Sequence, residues 1–218
     1  VLLSSTCFAQ IEYSGFADIL YSKSLGDDGE SGFGYGQFEV DLSGQVLPGV
    51  TFEGAIAYNA DDGVFEAGAG FLDIELGHGS LMVGQFDVPF GIDYLSIPSP
   101  DRMLVNGPLM NQQTSGGWND VGLNFYGELS MLNFNIFTVN GASEGFSGGG
   151  RLGFPVAELL EAGVSFATQT AENDSGAVPQ LIGVDFQSTL GFLSTKVEYQ
   201  MATGVKEGDF DNFTEEDE

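Results

Sequence analysis

Along most of the chain apolar and polar residues alternate one for one, in segments of about ten residues. Ile11, Tyr13, Ala17, Ile19 and Tyr21 fall on one parity, and Glu12, Ser14 and Asp18 on the other. Phe38, Val40, Leu42 and Val46 alternate with Glu39, Asp41, Ser43 and Gln45. After a Leu47-Pro48-Gly49 turn, Phe52, Ile56 and Tyr58 oppose Thr51, Glu53 and Asn59. A repeat of two belongs to an extended strand whose faces meet different surroundings; a helix repeats every 3.6 residues and cannot produce it. The pattern predicts further strands over about 65–76, 80–88, 118–129, 132–139, 150–156, 162–170, 180–190 and 192–203, with a hint of a helical turn at Val156–Leu160. That is about eleven strands and an all-β fold.

The connections alternate as well. Leu47–Gly49, Gly77–Ser80, Ser130–Met131, Pro155–Glu161 and Gly191 are short, whereas 23–32, 59–64, 88–117, 140–149, 171–179 and the residues after 203 are longer and more polar. Ten-residue strands joined by short and long turns in strict alternation predict a transmembrane, antiparallel, up-and-down β-barrel. Lipid offers backbone groups no partners, so a spanning sheet must close on itself, with an apolar face toward lipid and a polar face toward water. A soluble sandwich would alternate too, but without the long-short rhythm. No run of about 18 apolar residues marks a spanning helix. Tyr13, Tyr21, Phe52, Tyr58 and Trp118 are expected in the aromatic girdles where membrane meets water.

Bacterial barrels have even strand numbers, so eleven strands suggest a piece of a larger barrel. Residues 1–9 (V-L-L-S-S-T-C-F-A) read as the tail of a secretory signal cut after Ala9, and 10–218 as a barrel domain incomplete at its C-terminal end. Acylation of Cys7, or an ordinary first strand, are the alternatives for the leading residues. The acidic run Asp209–Glu218 reads as solvated chain.

Charge narrows the function. Against 32 acidic residues stand 5 basic ones, a formal net charge of −27, so no basic patch for nucleic acid can form. Hydrophobic residues at 42 % and 19 phenylalanines exclude a disordered acidic chain. If the apolar parity faces lipid, the other parity sends Glu12, Asp18, Glu39, Asp41, Glu53, Asp73, Glu75, Asp120, Glu128, Asp185 and Glu198 into a lumen, with Lys196 the only clear basic counterpart. A pore lined by carboxylates concentrates cations and repels anions. The plainer alternative is that polar residues face inward because water is there.

Between Val88 and Gly117 lies the longest connection, with four of the seven prolines. So long a stretch without strand pattern is unusual unless it has a task. Around it, Gly84-Gln85-Phe86-Asp87-Val88-Pro89-Phe90-Gly91, Ser99-Pro100-Asp101-Arg102 and Gly117-Trp118-Asn119-Asp120-Val121-Gly122 resemble outer-membrane porins related to the phosphate-selective porin O and P family. The resemblance covers about forty of the 218 residues and implies a porin fold and passive diffusion. Phosphate-selective members of that family line their pores with arginine and lysine, a lining that this sequence, with 5 basic residues in all, lacks. In general porins the third outer loop folds into the barrel, and 88–117 resembles it. That likeness would put Asp93, Asp101 and Arg102 at a constriction; a proline-stiffened loop over the rim is the alternative.

Catalytic motifs fail. His78, the only histidine, sits in the short Gly77-His78-Gly79 turn without a nucleophile, and the single cysteine leaves no His/Cys metal set. Gly148-Gly149-Gly150 precedes a strand rather than a helix, so it is no phosphate loop. The clusters Asp27-Asp28-Glu30, Asp61-Asp62-Glu66 and Asp209-Asp211-Glu215 could hold Ca²⁺ or Mg²⁺, although solvated charge explains them as well. The expectation is a non-enzymatic porin of the bacterial outer membrane, without a required cofactor. Its partners would be membrane lipid and small hydrophilic solutes, and assembly into homotrimers stays open. The alternative is a structural or adhesive barrel without a channel.

Overall fold

A computed structural model gives the fold and describes residues 11–23, 31–59, 63–92, 100, 118–141, 145–157, 160–172 and 176–204. Eleven antiparallel strands follow one another up and down: β1 (Ile11–Lys23), β2 (Ser31–Leu47), β3 (Val50–Asn59), β4 (Val64–Glu75), β5 (Gly79–Asp87), β6 (Asn119–Leu129), β7 (Leu132–Asn140), β8 (Phe146–Ala157), β9 (Leu160–Gln169), β10 (Gln180–Leu190) and β11 (Leu193–Thr203). They fall into two compact units, Val1–Ile74 and Glu75–Glu218. In the first, β1 to β4 pair in chain order. In the second, β5 to β11 do the same.

Local chemistry sets the short turns. Pro48 and Gly49, the latter at φ 76°, occupy the central positions of the β2–β3 turn, the residue order a type II turn requires. Ser130 (φ 59°) and Gly191 (φ 61°) open the two-residue turns after β6 and β10. Each follows an even-numbered strand, and each long connection an odd-numbered one, as the sequence rhythm predicts.

Three details differ from the sequence reading. Strand β2 begins at Ser31, inside the expected loop, because Phe33 and Tyr35 alternate with Gly32, Gly34 and Gly36 and pair with Tyr21 and Ile19. Val156 and Leu160 are strand residues, not a helical turn, and Pro155 pairs with Glu161 across the hairpin. Gly148–Gly150 lie within β8 rather than before it.

Strand alternation gives each unit an apolar and a polar face. Cross-strand partners share a face. In the first unit Tyr13, Leu42, Val40 and Ile56 therefore lie together, and Tyr21, Phe33, Tyr35, Tyr58 and Phe65 collect near the long-connection ends of the strands. Their rings touch in sequence: Tyr21–Phe33 at 5.2 Å, Tyr35–Tyr58 at 6.3 Å and Tyr58–Phe65 at 5.1 Å between centroids. In the second unit Leu123, Ile136, Leu152, Phe166, Val184 and Val197 form the same kind of face. All of these except the half-buried Tyr58 are exposed, Tyr13 to 85 % and Ile136 to 59 %. A soluble sheet buries such a face; here it is exposed, as a lipid-facing sheet requires.

Candidate functional site: the polar face

On β1–β4 the polar face is a wall of carboxylates. Glu12 pairs with Ser43, Ser14 with Asp41, Phe16 with Glu39, and Thr51 with Asp73. Ser14 donates to Asp41 Oδ2 at 3.1 Å. Glu53 stands opposite Ser43 and Phe71, so Asp41 and Asp73 are its diagonal neighbours, about 7–8 Å away by strand geometry. Asp18 follows Ala17 where the β1–β2 register shifts and lies beside Gly36. Glu75 shares the parity of Asp73 on β4. Among the described residues of this unit the one base, Lys23, lies on the parity of Tyr21, away from these acids.

The polar face of β5–β11 is built differently. Arg151 on β8 lies over two glycines, Gly153 and Gly163, where any side chain would collide with the ionic groups. Its Nη2 is 2.6 Å from Asp185 Oδ1 and 2.8 Å from Glu161 Oε1, and its Nε donates to Asp185 Oδ2 at 3.0 Å. Asn133 donates to the other oxygen of Glu161 at 3.4 Å. The Asp185 side chain is fully covered. Two buried charges can persist in such a place because the bidentate geometry compensates their lost hydration.

Closer to the long-connection ends this face is apolar and covered. Val88–Ile92, the start of the long connection, lies on the wall of β9–β11 with Val88, Phe90 and Ile92 all buried. Gly91 N donates to Ser165 Oγ at 3.0 Å and Ile92 N to Glu198 Oε2 at 3.0 Å. The Phe90 ring rests on Gly183, 3.0 Å from where a Cβ would stand. Trp118 closes the far end of this stretch: its carbonyl accepts from Val88 N at 2.8 Å, and its ring meets Phe137 edge-on at 5.7 Å.

The sequence-predicted acids are thus placed unevenly. Glu12, Asp18, Glu39, Asp41, Glu53, Asp73 and Glu75 share the polar parity of β1–β4, while Asp120, Glu128, Asp185 and Glu198 share that of the second unit. Within the second group Asp185 is ion-paired and Glu198 hydrogen-bonded to backbone, so neither is a bare pore carboxylate. Lys196 is not the only base on this face; Arg151 joins it, at an odd position of a strand whose other odd residues are Ser147, Gly149, Gly153, Pro155 and Ala157. Glu161, expected in a turn, belongs to β9 on the same parity. Trp118 is not a girdle residue: it is buried on the polar face, because the parity of Asp120, Gly122 and Asn124 carries it there. His78 lies exposed in its turn. Asp93, Asp101, Arg102, the leading residues 1–9 and the clusters at Asp27–Glu30, Asp61–Asp62 and Asp209–Glu215 lie outside the described residues, as does most of 88–117. Among the described residues no group of three metal-binding side chains forms.

No sequence family and no curated protein matches the chain. Solved structures do. An anion-selective porin from Comamonas acidovorans superposes with a TM-score of 0.66 at 14 % identity, over 89 % of this chain and 68 % of its own. OmpT, an outer membrane protein of Vibrio cholerae, matches in its trimer form with a TM-score of 0.60 at 14 % identity, over 89 % of this chain and 65 % of its own. Its loop-deletion variant matches with a TM-score of 0.58 at 14 % identity, over 89 % and 69 %. The fold is therefore porin-like, that of outer-membrane β-barrels.

Proposed function

We propose that the chain is a porin of the bacterial outer membrane, a water-filled channel for passive diffusion of small hydrophilic solutes with a preference for cations. One observation carries this reading: the sheet presents exposed apolar residues on one face and a carboxylate wall, Glu39, Asp41, Glu53 and Asp73, on the other. The first face suits lipid and the second suits a hydrated path for cations. The porin-like fold supports the channel. The net charge of −27 supports the opposite preference from that of the anion-selective porin, and it also speaks against a phosphate pore despite the short resemblance to the porin O and P family.

On this reading the protein is no enzyme, its partners are lipid and permeating ions, and any trimer would follow the one structure above described as a trimer. Residues 1–9 act as the tail of an export signal and 10–218 as part of a larger barrel. Liposome swelling with small sugars tests the channel. Vesicles carrying the refolded protein should swell at a rate that falls with sugar size; vesicles no more permeable than protein-free ones would leave the structural or adhesive barrel as the better reading.

A further inference from the structure

We propose that Glu198, with Ser165, is a positioning residue that latches the Val88–Ile92 strap to the wall of β9–β11 and so sets the width of the permeation path; this rests on the channel reading above. The strap leaves β5 with its Val88 amide on the Trp118 carbonyl and its Phe90 amide on the Val88 carbonyl, and its next two amides meet no backbone acceptor. Two successive amides find side-chain acceptors instead, Gly91 on Ser165 Oγ and Ile92 on Glu198 Oε2, each at 3.0 Å. The second carboxylate oxygen of Glu198 accepts from Gln200 Nε2 at 2.8 Å, which fixes the side chain's orientation. Gly91 lies at φ 66°, and a Cβ there would overlap the Glu198 carboxylate, so chain and acceptor fit only with glycine at this position. Phe90 adds an apolar anchor on Gly183.

Charge alone does not explain Glu198. It stands directly opposite Asp185 across the β10–β11 pair, and like charges so placed repel. Asp185 is compensated by Arg151. Glu198 instead receives backbone and amide donors, the arrangement of an acceptor holding a chain segment. A residue that acts as an acceptor can be replaced by a neutral acceptor; one that acts by charge cannot.

The experiment compares Glu198→Ala, Glu198→Gln and Ser165→Ala in the refolded full chain, each first shown to keep native heat-modifiable migration. The latch predicts faster amide exchange at Gly91 and Ile92 in Glu198→Ala, higher single-channel conductance, and passage of larger polyethylene glycols than the native channel admits. Glu198→Gln keeps native conductance and polymer cut-off, and Ser165→Ala moves both in the direction of Glu198→Ala by less. Unchanged exchange and cut-off in Glu198→Ala would overturn the proposal. So would equal loss of cation preference in the Ala and Gln variants with the cut-off unmoved, which is the signature of a pore charge. If the native protein passes no current, the channel reading fails, while amide exchange still decides whether the latch exists.

Discussion

Arg151 on β8 reaches across β9 to Asp185 on β10 and grips it through two nitrogens, at 2.6 and 3.0 Å. Both side chains are almost wholly covered. Removing one partner strands the other charge out of water, whereas removing both leaves only the partly exposed Glu161 without its ionic partner. Arg151→Met should therefore cost about 3–5 kcal/mol in urea unfolding from vesicles, and adding Asp185→Leu should restore most of it. Equal losses from the single and double variants would mean that packing, not charge, holds this cluster.

The apolar face is predicted to meet lipid. Val184→Lys, at the middle of β10, should destabilise insertion by about 2–4 kcal/mol, while Tyr21→Lys near a strand end should cost about 0–1. Folding titrations into vesicles measure both. Similar small effects at the two positions would argue for a water-exposed face.

Trp118 is the only tryptophan, so its fluorescence reports one site. Buried against Phe137 on the polar face, it should emit at short wavelength and resist quenching by brominated acyl chains. Strong lipid quenching would return it to the girdle that its sequence position suggested.

Selectivity should reside in β1–β4. Asp41→Asn, Glu53→Gln and Asp73→Asn together should move the zero-current potential well toward zero, more than any one of them alone, because neighbouring carboxylates share one field. Raising salt should act in the same direction, since screening shortens from about 10 Å at 0.1 M to about 3 Å at 1 M. A triple variant as selective as the native protein would place the determinant elsewhere.

Strand parity made much of this legible before any coordinates. All eleven strands follow from the alternation of residues such as Val121, Leu123 and Phe125 with Asp120, Asn124 and Glu128, and the turns from Pro48, Gly49 and Gly191. Parity says which face a residue occupies but not what lies over that face. Asp185 and Glu198 look alike in sequence, yet one is covered by an arginine from two strands away and the other by a returning strap. Both coverings depend on glycines, Gly153 and Gly163 under Arg151 and Gly183 under Phe90, whose part shows only once the strands are in register. Arg151 is not marked out by parity because its strand is rich in glycine and alternates weakly.

On the proposal above, the acidic polar face makes the channel favour cations. Planar-bilayer recording under a potassium chloride gradient tests it most directly. Stepwise current and a zero-current potential of the sign set by potassium flux are expected; a potential of the opposite sign, or no current from correctly folded protein, rules out a cation-favouring channel.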